Sequence, residues 1–259
     1  MELDMQGLMD LKGRVAIVTG GNSGIGLGMA QGLAAAGASL VIAGRNTQKN
    51  AAAGQALRAL GAQVLAIEAD VTQEADCSAL IERSLAHFGR LDILINNAGT
   101  NIRKPPQDYT LDEWRTVMDT NLTSAFLCSK AAYPALVAAG GGKIINTGSM
   151  TSIFGAGFAA PYSASKGGIV QLSKSLASAW AKDNIQVNAI LPGWIDTDLT
   201  RQARKDLPGL HERVLARTPA ARWGVLDDFA GIAIFLASRA SDFVTGTAIP
   251  VDGGYSAQA

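Results

Sequence analysis

A chain of 259 residues with 48% hydrophobic positions, 17% charged positions and 29 glycines has the material for a large core of buried strands under closely packed helices, and excludes a disordered chain. Basic and acidic residues balance at 22 each; with no basic run to upset that balance, nucleic acid is not an expected partner. No stretch approaches the ~20 apolar residues that cross a bilayer, and residues 1–13 carry acids but no apolar signal core. The expected protein is soluble, cytoplasmic and free of membrane contact.

After a polar lead-in, a β-rich run at 14–19 enters the segment Thr19-Gly20-Gly21-Asn22-Ser23-Gly24-Ile25-Gly26, and a helical pattern begins near Ser23. Further strand runs are expected at 39–43, 63–68, 93–96, 143–147, 185–191 and 247–251. Helical patterns begin near Thr47, Gln73, Leu111, Ala160 and Val225, with Thr47, Thr72 and Thr110 as candidate caps. This alternation is the signature of βαβ units on a parallel sheet. It predicts one α/β domain over 1–259, a Rossmann-like doubly wound parallel sheet of about seven strands with helices on both faces. Residues 196–224 break the rhythm; they are charged, carry Pro208 and Pro219, and read as a mobile substrate lid within that domain.

The glycine segment follows the first strand, where a strand-to-helix turn lets the backbone approach a pyrophosphate and leaves N–H groups facing the anion. Its GxxxGxG spacing departs from the G-x-G-x-x-G dinucleotide fingerprint, so a plain glycine-rich turn is the competing reading. The end of the second strand, about 20 residues on, usually reads the ribose 2′ position. Arg45 stands there without a carboxylate, which favours NADP(H) and leaves NAD(H) possible; a solvated surface arginine is the alternative.

Tyr162 and Lys166 are four apart in a helical pattern and so share a face. An ammonium beside a phenol favours the phenolate and is expected to lower its pKa. Ser149 closes the fifth strand run at the carboxyl edge of the sheet, where ligands bind in such folds. Singly these residues are ordinary; their placement beside a nucleotide cradle makes them a candidate proton-transfer site.

These motifs together resemble the short-chain dehydrogenase/reductase family over residues 11–254. The family's glycine motif matches Gly20, Gly24 and Gly26, its adenine-side pair Asp70 and Val71, and its Asn-Asn-Ala-Gly motif Asn96, Asn97, Ala98 and Gly99. The resemblance implies a catalytic tetrad of Asn121, Ser149, Tyr162 and Lys166. Tyr162 would be the general acid and base, Ser149 would hold the reacting oxygen, and Lys166 would bind the nicotinamide ribose and depress the tyrosine pKa. Asn121 would anchor a water linking Lys166 to solvent. Nucleotide contacts are implied for Asn22, Ser23, Ile25, Arg45, Asn97, Tyr162, Lys166, Pro192, Gly193 and Ile195, with Thr197 at the nicotinamide carboxamide. The implied activity is hydride transfer between nicotinamide and a carbonyl or secondary alcohol.

Within the family, the segments around Arg103, Met150 and Trp223 are similar to those of gluconate 5-dehydrogenase-like and 3-oxoacyl reductase-like members, which implies a sugar acid or other small keto compound. Arg103 is placed to meet a substrate carboxylate or to lie solvated in its loop. Met150, Ile153, Phe154, Phe158 and Trp194 would give an apolar pocket wall. Small residues along 111–137 and 162–181 would suit helix approach, and similar family members imply a homotetramer. Cys77 and Cys128 are expected to be buried thiols. His87, at an expected helix end, and His211 form no ligand-spaced cluster, so no metal is expected. The competing function is a catalytically silent nucleotide-binding sensor or scaffold.

Overall fold

The computed structural model describes residues 5–258. Seven strands form one all-parallel sheet: β1 (Val15–Thr19), β2 (Ser39–Gly44), β3 (Val64–Glu68), β4 (Ile93–Asn96), β5 (Gly142–Thr147), β6 (Ile185–Pro192) and β7 (Ala248–Val251). Their order is β3-β2-β1-β4-β5-β6-β7, and the register pairs Val15 with Ser39 and Ile93 with Lys143. The order reverses between β1 and β4. In a parallel open sheet, that reversal opens a crevice at the carboxyl ends of the strands.

Alternation along each strand supplies two cores. Ala16 and Val18 of β1 face Met29, Leu33, Leu57, Phe229 and Leu236. These come from α2 (Gly24–Ala35), α3 (Thr47–Ala59), the short turn 226–229 and α10 (Ala230–Ala237). Ile17 faces the opposite way, onto Leu80, Ile81, Leu136 and Ala177 of α4 (Glu74–Phe88), α6 (Ser124–Ala138) and α7 (Ala160–Trp180). A five-residue helix, α1 (Met5–Met9), lies in the expected lead-in.

The strands fall within a residue of their expected bounds, and helix ends follow local chemistry. Asn46, not Thr47, caps α3 by accepting from the Lys49 N–H at 2.9 Å. Gln73 precedes α4 in place of the expected Thr72, whose hydroxyl instead donates to Asp70 at 2.9 Å. Thr110 does cap α5 (Leu111–Met118), in a reciprocal pair with Glu113, which satisfies two otherwise orphaned N–H groups. Gly89, with φ +77°, ends α4 just after His87. A π-helical turn over Asp119–Thr123 joins α5 to α6.

Residues 196–224 contain two helices that the sequence pattern did not resolve, α8 (Asp198–Asp206) and α9 (Leu210–Arg217). The segment has its own small core of Ala203, Leu210, Val214 and Trp223. Its ends are clasped by a parallel bridge between Ile195 and Gly224. Asp196 N–H donates to the Gly224 carbonyl at 2.9 Å, and Gly224 N–H to the Trp194 carbonyl at 2.9 Å. Among the described residues, no helix is long and apolar enough to cross a membrane.

Candidate active site

The glycine turn after β1 is held by polar stitching rather than by apolar packing. Thr19 Oγ1 accepts from the N–H groups of Asn97 and Ala98, at 3.0 and 3.2 Å. Asn97 Nδ2 returns bonds to the Thr19 and Gly20 carbonyls, both at 3.2 Å. Gly20 and Gly24 adopt positive φ of 62° and 53°, a conformation that disfavours any side chain. Gly26 serves a different need: a Cβ there would collide with Asn97 Nδ2 and the Gly20 carbonyl, so the helix could not sit this close to β4. Asn22 is tied to α3 through a 2.6 Å bond to Asn50 Oδ1, and Asn50 in turn donates to the Gly44 and Ile67 carbonyls. The buried Asn50 was absent from the sequence reading, since nothing in the α3 pattern marks it.

At the crevice a cavity of about 450 Å³ is lined by Gly20, Asn22, Ser23, Gly24, Ile25, Arg45, Asp70, Val71, Asn97, Ala98, Gly99, Tyr162, Lys166, Pro192, Gly193, Ile195 and Thr197. Of the predicted nucleotide residues only Gly26 lies behind this wall. Asp70 is partly engaged locally, accepting from the Thr72 N–H at 3.1 Å, and Thr197 also caps α8. Ser23 precedes α2 without a side-chain capping bond, and the first turn of α2 contains no acid. Its N–H groups and positive dipole end therefore remain for an anion. At the other end of the cavity Lys49, also missed from sequence, stands with the exposed Arg45 at the start of α3. These features fit a dinucleotide carrying an extra phosphate.

A second cavity of about 430 Å³ shares Ser149, Tyr162, Pro192, Gly193, Leu199 and Thr200 with the first. Arg103, Met150, Phe154 and Trp194 all line it, as does Phe158. Arg103 is not a solvated loop arginine; its side chain is 13% exposed and reaches Asp206 of α8 at 3.6 Å, with the Leu199 carbonyl at 3.4 Å. Arg213 and Arg217 of α9, together with Asn101, Thr151 and Tyr255, also line it. None of these five was identified as a site residue from the sequence, because each depends on how a loop, α9 or the chain end folds back. The lining holds three arginines and no carboxylate.

Tyr162 and Lys166 share one face of α7, with the ammonium 5.6 Å from the ring centre. Lys166 is buried and donates to the Thr147 carbonyl at 2.6 Å. Burial draws its pKa down from 10.5 to about 8, because desolvation disfavours the charged amine. The expected lowering of the Tyr162 pKa is not found. Burial instead pushes the phenol up, and the opposing influences are the Ser149 hydroxyl and the charge of Arg103. Desolvation outweighs the neighbouring positive charge, so the phenol stays protonated at neutral pH.

Ser149 is fixed by its own turn: its hydroxyl accepts from the Thr151 N–H at 3.1 Å. Ser152 receives the Ser149 N–H and donates to the Lys166 carbonyl at 2.7 Å, which ties this turn to α7. Asn121 lies in the π-turn behind the cavities. Its Nδ2 donates to the Thr100 carbonyl at 3.0 Å and to Ser165 Oγ at 3.1 Å, and its Oδ1 accepts from the Thr100 N–H at 2.8 Å. A Cβ on Gly99 would meet Asn121 Oδ1 and Lys166 Nζ at 3.3 and 3.7 Å, so the two side chains flank the same backbone.

Cys77 and Cys128, far apart in sequence, are buried side by side between α4 and α6 with their sulfurs 3.5 Å apart and free. His211 stacks on Trp223 and accepts its indole N–H at 3.0 Å.

The family model described as enoyl-(acyl carrier protein) reductase matches residues 20–256. A 2-dehydro-3-deoxy-D-gluconate 5-dehydrogenase of Escherichia coli (strain K12) is 43% identical over 249 residues, covering 96% of this chain and 97% of that protein. A gluconate 5-dehydrogenase of Gluconobacter oxydans is 38% identical over 250 residues, covering 95% and 96% of the two chains. The crystal structure of a gluconate 5-dehydrogenase from Burkholderia cenocepacia J2315, in complex with NADP and tartrate, superposes with a TM-score of 0.93 at 40% identity, covering 98% of this chain and 99% of that one.

Proposed function

Because the chain belongs to the short-chain dehydrogenase/reductase family, we propose that it is an NADP-dependent oxidoreductase that interconverts a secondary alcohol and a ketone on a sugar acid. The observation that carries this reading is the second cavity, which meets the nucleotide cavity at Ser149 and Tyr162 and presents three arginines and no acid. An anionic substrate suits such a wall, because Arg103 has Asp206 beside it but Arg213 and Arg217 have no acid partner among the described residues, and a neutral ketone would bring them none. The relative from Burkholderia cenocepacia, solved with NADP and the dicarboxylate tartrate, supports both halves of the assignment.

Nicotinamide, when bound in the first cavity, would supply the hydride chemistry. The chain's own residues manage position and protons. Tyr162, held protonated by burial, gives its proton to the carbonyl oxygen in reduction and takes it back in oxidation. Ser149 holds that oxygen. Lys166, anchored to Thr147, would hold the ribose with its remaining N–H groups. Asn121, its carboxamide committed to Thr100 and Ser165, holds the π-turn beside Lys166, where a water would link the amine to solvent. Arg45 and Lys49 receive the 2′-phosphate, the glycine turn and α2 receive the pyrophosphate, and residues 196–224 act as a lid over the substrate. Arg103, joined to α8 through Asp206, couples the substrate carboxylate to that lid. An intact set of Asn121, Ser149, Tyr162 and Lys166 speaks against a silent sensor.

The protein works in the cytoplasm as a homotetramer. Free buried thiols suit a reducing compartment, and partly exposed Trp114 and Phe126 on α5 and α6 suit a helix-borne interface. Light scattering at micromolar concentration tests the assembly, and monomers would refute it.

The activity is tested by nicotinamide absorbance with NADP or NAD and a panel of sugar acids, polyols and simple secondary alcohols, beside Tyr162→Phe. Turnover of acids with NADP, lost in the variant, is the expected result. Turnover confined to neutral alcohols would overturn the substrate class, and none with any alcohol or ketone would return weight to a sensor.

A further inference from the structure

Three groups in the second cavity are left over once the fold has used the rest. Asn101 Oδ1 and Thr151 Oγ1 are buried without a hydrogen-bond partner, although each residue lines the cavity. Buried polar atoms in folded proteins are nearly always paired, so two orphans on residues that line one cavity point to a ligand that completes them once the side chains turn toward it. The third is Arg217. Its guanidinium lies 4.4 Å from the Tyr255 ring and 5.0 Å from the Phe154 ring, and no acid pairs with it among the described residues.

The other two arginines of the cavity are already engaged. Arg103 reaches Asp206 and the Leu199 carbonyl, and Arg213 donates to the Pro208 carbonyl at 3.1 Å. Aromatic faces on Arg217 hold the planar fork in place while occupying none of its N–H donors. A fork held this way is preorganised for a bidentate carboxylate.

We infer that Arg217 is the principal anchor of the substrate carboxylate, and that Asn101 and Thr151 read hydroxyl groups lying between that carboxylate and the carbon that reacts at Tyr162. The inference rests on the sugar-acid reading above and deepens it. It assigns acid recognition to the last turn of α9 and the chain end, and polyol recognition to the loops after β4 and β5. Asn101 Oδ1 accepts from a substrate hydroxyl. Thr151, whose N–H is spent on Ser149, keeps its hydroxyl free to donate or accept.

The test uses full-length enzyme with NADP and three substrates: D-gluconate, its neutral counterpart D-glucitol, and 2-butanol, which lacks both carboxylate and additional hydroxyls. Arg217→Gln should raise KM for gluconate by roughly ten- to a hundredfold, the scale of a lost charge-assisted hydrogen bond, with kcat nearly unchanged and glucitol unaffected. Arg217→Lys should recover part of the loss. Thr151→Val and Asn101→Ala should weaken gluconate and glucitol alike and leave 2-butanol unchanged, which also reports that each variant is folded. Equal effects of Arg217→Gln on gluconate and glucitol, or none on either, would overturn the carboxylate anchor. Loss of 2-butanol turnover in step with the polyols would overturn the hydroxyl role. A parent enzyme that oxidises 2-butanol but neither turns over nor binds gluconate would instead overturn the sugar-acid reading itself.

Discussion

The two cavities that meet at Ser149 and Tyr162 are built from different material. The nucleotide cavity is walled largely by strand ends and by the backbone of the glycine turn, fixed by Thr19, Asn97 and Asn50. The substrate cavity is walled by side chains from loops, from α9 and from Tyr255 near the chain end. A wall made of backbone keeps its shape and recognises what all its ligands share, here a pyrophosphate. A wall made of side chains can change its chemistry residue by residue, and so decides which substrate enters.

The sharpest way to separate the two is Tyr162→Phe, which removes the proton donor at their junction. Turnover should fall by about 10²- to 10⁴-fold, while NADPH binding, followed by nucleotide fluorescence, stays close to that of the parent. Retained turnover would mean that another group moves the proton.

Arg103→Ala strikes only the substrate side. It should raise KM for acidic substrates by about tenfold or more, as expected for loss of a charged partner, and leave neutral ketones unchanged. An equal change for both would show that Arg103 acts by holding α8 through Asp206 and not by meeting the substrate.

Gly26→Ala strikes only the nucleotide side. The added methyl has no room against Asn97 and the Gly20 carbonyl, and overpacking of this kind costs about 1 to 3 kcal/mol. Thermal unfolding should come several degrees earlier, with weaker NADP binding and with the order of substrate preference preserved. A change in that order would mean that the two cavities are not independent.

The last effect is a pH dependence at the junction. The folded pKa of Lys166, about 8, lies below its ordinary 10.5, so the unfolded chain binds this proton more tightly. The resulting penalty on folding is fully present below pH 8 and is relieved as pH rises from about 8 to 10.5. The stability of Lys166→Met relative to the parent should therefore be greatest below pH 8 and decline across that window, as read by denaturant unfolding. A difference independent of pH would mean that the amine is not desolvated.

The same division explains what could be read from the amino acids alone. Strand runs, the glycine turn and the Tyr162–Lys166 spacing are local patterns, and they led to the sheet and to the lining of the nucleotide cavity. Arg217, Tyr255 and Thr151 carry no local mark, because their meeting depends on α9 and the chain end folding over the β5 loop. The upward shift of Tyr162 was illegible for a related reason: spacing predicts the neighbouring ammonium, but burial, which dominates, is a property of the packed site. Even the caps show it. Asn46 and Thr47 are both able to cap, and only the entry angle of the chain chooses between them.

The clasp between Ile195 and Gly224 has a consequence for how such a protein can diversify. The segment is tied back once more, by the Ala220 N–H to the Gly253 carbonyl at 3.0 Å, so the stretch 201–217 between the two ties can change without shifting the register of β6 or β7. New substrate ranges are thus open to a lineage through that stretch, while Thr197 at its entry keeps its place against the nucleotide cavity.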